Sequence, residues 1–176
     1  DASKPWAATG QSITINGQGF TSSTLVQFAG LDDSGKLGTL TRTGSVGNNG
    51  TTLTVEVPAL ARSGAVTVLG SSTSIELQVV PTLRAYGGAV AAGNTIVLEG
   101  TGLTSDSLQI AIDGQGVGSF TVRTVNDSTS TSYLDQQLIT LTVPAGVSAG
   151  VITVSTAGGS ATLRAGAVST SAQADA

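Results

Sequence analysis

The strongest constraint on this chain is a pattern that it carries twice. The segment Gly10-Gln-Ser-Ile-Thr-Ile-Asn-Gly-Gln-Gly-Phe20 aligns with Gly93-Asn-Thr-Ile-Val-Leu-Glu-Gly-Thr-Gly-Leu103. Ile13 thus matches Ile96, Ile15 matches Leu98, Gly17 matches Gly100 and Gly19 matches Gly102. Further on, Val26 and Phe28 match Ile110 and Ile112. Leu53-Thr-Val-Glu-Val-Pro-Ala59 then matches Ile139-Thr-Leu-Thr-Val-Pro-Ala145, and Ser63-Gly-Ala-Val-Thr-Val68 matches Ala149-Gly-Val-Ile-Thr-Val154. The register drifts only in the stretches between these blocks. A repeat of this length implies two copies of one unit. We expect a first domain over residues 1–81 and a second over 82–176, joined near Pro81 to Leu83. The small polar tail from Ser169 to Ala176 is expected to lie outside the second core.

Within each copy the apolar residues alternate. Leu53, Val55 and Val57 are separated by Thr54 and Glu56, and Ile139, Leu141 and Val143 by Thr140 and Thr142. Period two marks strands with one face buried, and β-branched Val, Ile and Thr suit a pleated surface. No stretch has a helical period with caps; Pro58 to Arg62 is one turn at most. With turn residues at short intervals, the chain is expected to be all-β, as two tandem immunoglobulin-like β-sandwich domains of about seven strands each. Val79, Val80 and Pro81 run almost directly into Leu83, so the pair should be semi-rigid and end to end.

Composition narrows the chemistry. The chain has no cysteine and no histidine, which removes disulfides, thiolate zinc, thiol nucleophiles and the commonest general base. Seven Lys+Arg against eleven Asp+Glu give a net charge of -4, without the basic clustering that nucleic acid or an anionic membrane requires. No apolar run approaches the length of a transmembrane helix. We expect the sequence to be a piece of a larger protein.

Each copy reads as a strand, Gly-x-Gly-(Phe/Leu), a short strand, an alternating strand ending in Val-Pro-Ala, and (Ser/Ala)-Gly-x-(Val/Ile)-Thr-Val. This order resembles the IPT/TIG domain, an immunoglobulin-like fold of transcription factors, receptors and bacterial surface proteins. The resemblance covers about residues 5–80 and 83–168. DNA-binding members present basic loops that have no counterpart here, so the resemblance implies the bacterial surface-protein use.

Candidate sites are few. Asp32 and Asp33 follow the Phe28 strand, and Asp113 stands at the equivalent place in copy two. Loop carboxylates at sandwich ends are candidate calcium ligands, but a full site needs six or more oxygens and Asp-Gly is an ordinary turn pair, which is the preferred reading. Tyr133, Asp127 and Asp135, in the polar loop from Asn126 to Gln136, are candidate glycan contacts. The Gly-x-Gly steps lack the following helix that a phosphate loop needs. Glu56, Glu76 and Glu99 lie on different strands, without the facing pair that a glycosidase uses. Lys4 and Lys36 lie outside strands, which argues against an isopeptide crosslink. Phe20, Phe28 and Phe120 should be core, and Trp6 and Tyr86 should pack the hinge. Asn49 and Asn126 match the glycosylation sequon, and both are read as turns.

These observations predict a non-catalytic spacer of a large bacterial extracellular or surface adhesin-like protein, monomeric as a fragment, with no cofactor. Its partners would be neighbouring domains of the same chain. Two alternatives are a carbohydrate-binding module for polysaccharide or host glycan, and a decoration domain of a phage virion or other large assembly.

Overall fold

The computed structural model describes residues 3–31, 36–103, 107–125 and 136–165. The fold is an all-β sandwich. Its first half contains β1 (Trp6–Ala8), β2 (Ser12–Asn16), β3 (Leu25–Leu31), β4 (Leu37–Thr43), β5 (Ser45–Gly47), β6 (Thr52–Glu56), β7 (Ala61–Val68) and β8 (Ser74–Val80). The second contains β9 (Thr82–Gly87), β10 (Thr95–Thr101), β11 (Gln109–Ile112), β12 (Gln115–Gly116), β13 (Phe120–Val125), β14 (Gln136–Thr142), β15 (Gly150–Thr156) and β16 (Gly159–Ala165). In the first half the sheets run β1-β8-β7-β3-β4 and β2-β6-β5; in the second they run β12-β11-β15-β16 and β13-β14-β10-β9.

The sequence repeat reappears as a repeat of register. Ile13 and Ile15 of β2 oppose Val55 and Leu53 of β6. Their matches Ile96 and Leu98 of β10 oppose Leu141 and Ile139 of β14. Val26 and Phe28 oppose Val68 and Val66, and Ile110 and Ile112 oppose Val154 and Ile152. A one-residue slip in any of these pairs would turn the aliphatic set to water, so alternation alone fixes the register strongly.

The Val-Pro step closes each ladder. Gly10 N donates to the Val57 carbonyl at 2.8 Å, and Val57 N to the Gln11 carbonyl at 2.8 Å. In the second half Gly93 N donates to Val143 O at 3.0 Å and Val143 N to Asn94 O at 2.8 Å. Proline follows at the first position where no donor is required. The carbonyls of Pro58 and Pro144 then accept from Ala61 N and Val147 N, forming tight turns. Pro58 to Leu60 is therefore a turn that runs directly into β7 at Ala61, with no helix. The only helical piece among the described residues is a 3-10 turn at Asn48–Gly50, with Asn48 and Asn49 at φ 47° and 55°.

Two separate cores result. One is built on Val26, Phe28, Leu53, Val55, Val57 and Val79, the other on Ile96, Leu98, Leu103, Ile112, Ile139 and Ile152. Each fully buried side chain of this size stabilises by roughly 1.5–3 kcal/mol. The aromatics divide differently from expectation. Phe28 is 1% exposed. Phe20 and Phe120 are half-buried and pack against the rims of their cores. The Phe20 ring lies over Gly17, where a Cβ would stand 2.5 Å from the ring as placed.

Replacing Phe28 with alanine should cost about 3–5 kcal/mol. Native-state hydrogen exchange should show the loss over residues 6–80, with the amides of β10, β14 and β15 little changed. Equal loss in both halves would mean that the two cores unfold as one.

Candidate functional site

The most specific geometry in the molecule lies where the two halves meet. β8 ends at Val80 and β9 begins at Thr82, with only the buried Pro81 between them. Proline fixes φ there and removes one of the few free torsions. On the first side Ser63 of β7 holds the end of β8: Val79 N donates to Ser63 Oγ at 2.9 Å. On the second side Thr101, only 8% exposed, is held from two directions. Its hydroxyl shares a hydrogen bond with Thr82 Oγ1 at 2.7 Å and accepts one from Thr9 Oγ1 of the first half at 2.8 Å. Thr101 N donates to Thr82 Oγ1 at 3.3 Å.

Two glycines let backbone meet backbone across this seam. Gly102, at φ +67°, lies against Val80 O and Pro81 Cα, where a Cβ would stand 3.1 Å and 3.2 Å from those atoms. Gly158, in the turn between β15 and β16, lies so close to the Val79 carbonyl that any Cβ would overlap it. Its neighbour Gly159 already supplies the positive φ of +137°. Gly158, the first glycine of Ala157-Gly158-Gly159, is therefore present for contact with the first half. The doubled glycine was the readable signal of this contact, and sequence reasoning passed over it.

Of the residues singled out from sequence, Asp32, Asp33, Asp127, Tyr133 and Asp135 lie outside the described residues, as does Asn126. Asp113 is exposed in the two-residue connection between β11 and β12. Asp113 and Gly114 have φ of 50° and 79°, as a type I′ hairpin requires. Asp113 N donates to Val151 O at 2.9 Å, and its side chain fills the space beside Gly150. Among the described residues no group of three Asp or Glu is placed to hold a metal ion. Glu56 and Glu76 are exposed, whereas Glu99 is half-buried on β10. Trp6 does not pack a hinge: it is 67% exposed on β1. Tyr86 packs on the second core.

Among the described residues, open grooves of about 410 Å³ and about 370 Å³ lie beside β2 and beside β11. Neither is lined by an ionisable side chain. They offer hydrogen bonds and apolar contact, with no group to transfer a proton. Gln137 is fully buried; its Oε1 accepts from Leu103 N at 3.3 Å, and its Nε2 has no acceptor among the described residues. No described helix is long and apolar enough to cross a membrane.

No family model matches the sequence, and no curated protein matches it. Among solved structures, the chain is similar to SGBP-B from a complex xyloglucan utilization locus in Bacteroides uniformis, at 18% identity and a TM-score of 0.40. The match covers 90% of this chain and 45% of that one, so the chain spans less than half of that protein's length.

Asp113→Asn should leave stability within about 0.5 kcal/mol, because asparagine also tolerates positive φ. Asp113→Val should cost about 1–3 kcal/mol in urea unfolding, since a β-branched residue is strained there. A melting temperature that rises with calcium and falls with chelator would instead make Asp113 a ligand.

Proposed function

We propose that this chain is a non-catalytic spacer, a tandem of two IPT/TIG-like domains within a larger extracellular or surface protein. The observation that carries this reading is the seam. A single buried proline joins the two halves, and Gly158 is pressed against the Val79 carbonyl. A flexible tether would need neither. Direct contact between the backbones of the two halves suits a part whose task is to fix the distance and angle between the domains on either side of it. The threonine-rich outer faces suit an exposed rod, since they leave few contiguous apolar patches. Each strand of seven residues contributes about 23 Å of length at about 3.3 Å per residue.

Small-angle scattering tests the reading. The native chain should give a narrow distance distribution with one well-defined maximum dimension. Gly158→Val, or four Gly/Ser residues inserted after Pro81, should broaden it while circular dichroism remains that of a folded β protein. A native distribution as broad as that of the insertion variant would remove the spacer reading. A glycan screen with and without calcium provides the second arm. Reproducible binding that is lost on Tyr133→Ala would replace the spacer with a carbohydrate-binding module.

A further inference from the structure

The first strands of the two halves take different seats, and the difference leaves one sheet edge open. β9 lies antiparallel on β10, pairing Tyr86 with Leu98 and Thr82 with Thr101. β1 instead lies parallel on β8, pairing Trp6 with Gln78 and Ala8 with Val80. β2, the counterpart of β10, therefore has a strand on one side only. Gly17 N donates to Thr51 O and Val57 N to Gln11 O, so the odd-numbered residues of this strand bond towards β6. By alternation the backbone groups of Ser12, Thr14 and Asn16 point outwards, away from the sheet. No described strand pairs with them.

Natural proteins blunt such edges with charge, proline, bulges or brevity. Every other outermost strand among the described residues is blunted in this way. The outermost strands β1, β5 and β12 have three residues or fewer. The longer outermost strands β4, β9, β13 and β16 each carry one exposed arginine, namely Arg42, Arg84, Arg123 and Arg164. These are four of the five arginines in the sequence. β2 has five residues, an unbroken register, no proline and no charge.

The groove of about 410 Å³ runs beside this edge, between the two sheets of the first half. Ile15, Phe20, Val66, Val68, Leu69 and Ile75 form its apolar part, and no charged residue lines it. Leu69 is 55% exposed and Ile75 is 39% exposed. The second half shows what occupies the equivalent place. There the β9 backbone covers Gly100 at Thr82, and Leu83 and Tyr86 pack on the core. Leu103 beneath is fully buried, whereas its match Phe20 is only half-buried.

We propose that the β2 edge is a docking site for an extended peptide strand of a partner protein. The strand binds antiparallel to β2, as β9 binds β10, with the bulge that β9 makes at Arg84, which brings an aliphatic and an aromatic side chain three residues apart to the groove side. Main-chain hydrogen bonds to Ser12, Thr14 and Asn16 supply affinity, and the uncharged groove supplies selectivity. This goes beyond the spacer reading, because it gives the first half an attachment point that the second lacks.

The test uses the full 176-residue chain and a synthetic nine-residue peptide with the sequence of residues 81–89. Saturating peptide should slow amide exchange at Ser12, Thr14 and Asn16 at least tenfold, and leave β4 unchanged. Two further peptides carry backbone N-methyl groups, one on residues 82, 85 and 87, which pair with Thr101, Glu99 and Val97 of β10, and one on residues 83, 84 and 86. One should bind and the other should not, since only one edge of the peptide pairs. Thr14→Pro removes an outward donor, spares the bonds to β6, and should weaken binding at least tenfold in a chain that remains folded. The proposal is overturned by unchanged exchange, or by equal binding of both methylated peptides. It is also overturned if protection of Thr14 appears without peptide and grows with protein concentration, because a second copy of this chain would then be the occupant.

Discussion

Everything in this structure depends on aliphatic side chains of two facing sheets meeting in one register, with no disulfide to help them. There is no cysteine, and only six aromatic residues are spread over the chain. Stability must come from Val, Ile and Leu, whose burial is non-directional and forgiving of shape. Direction is supplied by the backbone. The hydrogen bonds of Val57 with Gly10 and Gln11, and of Val143 with Gly93 and Asn94, pin one end of each ladder, and proline stops it there. With that end fixed, period-two alternation places every later residue on its proper face.

The seam is a second product of the same economy of side chains. The last strand of one half and the first of the next are separated by one residue. The approach is so close that side chains are excluded from it, which is why glycine stands at positions 102 and 158. Small hydroxyls fill what space remains, and Thr9, Thr82 and Thr101 satisfy one another in a place where water has little access. A buried polar group without a partner would cost about 1–3 kcal/mol, so this mutual satisfaction is a condition for bringing the halves together.

The repeat made most of the fold legible. Matching Ile13 with Ile96 and Leu53 with Ile139 anticipated the strands, and the structure pairs the matched strands in matching register. The all-β class and the near-absence of a linker followed from the same pattern and from Pro81. What could not be read was the seat of the first strand in each half. Residues 6–8 and 82–87 each open a copy as a short strand, and nothing local in either decides between the two sheets. Trp6 misled for that reason: position suggested a hinge anchor, but a strand placed on β8 turns it to solvent. Phe20 and Phe120 were assigned by alternation, which gives a face but not a depth. The arginines had a meaning that composition hid. Taken as seven basic residues with the lysines they are merely too few for nucleic acid, and only the strand order shows that four arginines guard edges. The loop residues named as ligand candidates, Asp113 apart, belong to segments outside the described residues.

The parallel seat of β1 on β8 has a consequence for load. These two strands enter and leave the first half at opposite ends, so tension along the chain would pull them past one another lengthwise. The hydrogen bonds of a parallel pair would then be strained together, side by side, and none could open before its neighbours. An antiparallel hairpin pulled from its open end parts one rung at a time. Three paired residues, from Trp6 to Ala8 against Gln78 to Val80, thus form a small shear clamp at the point where a pulling force would first enter the fold.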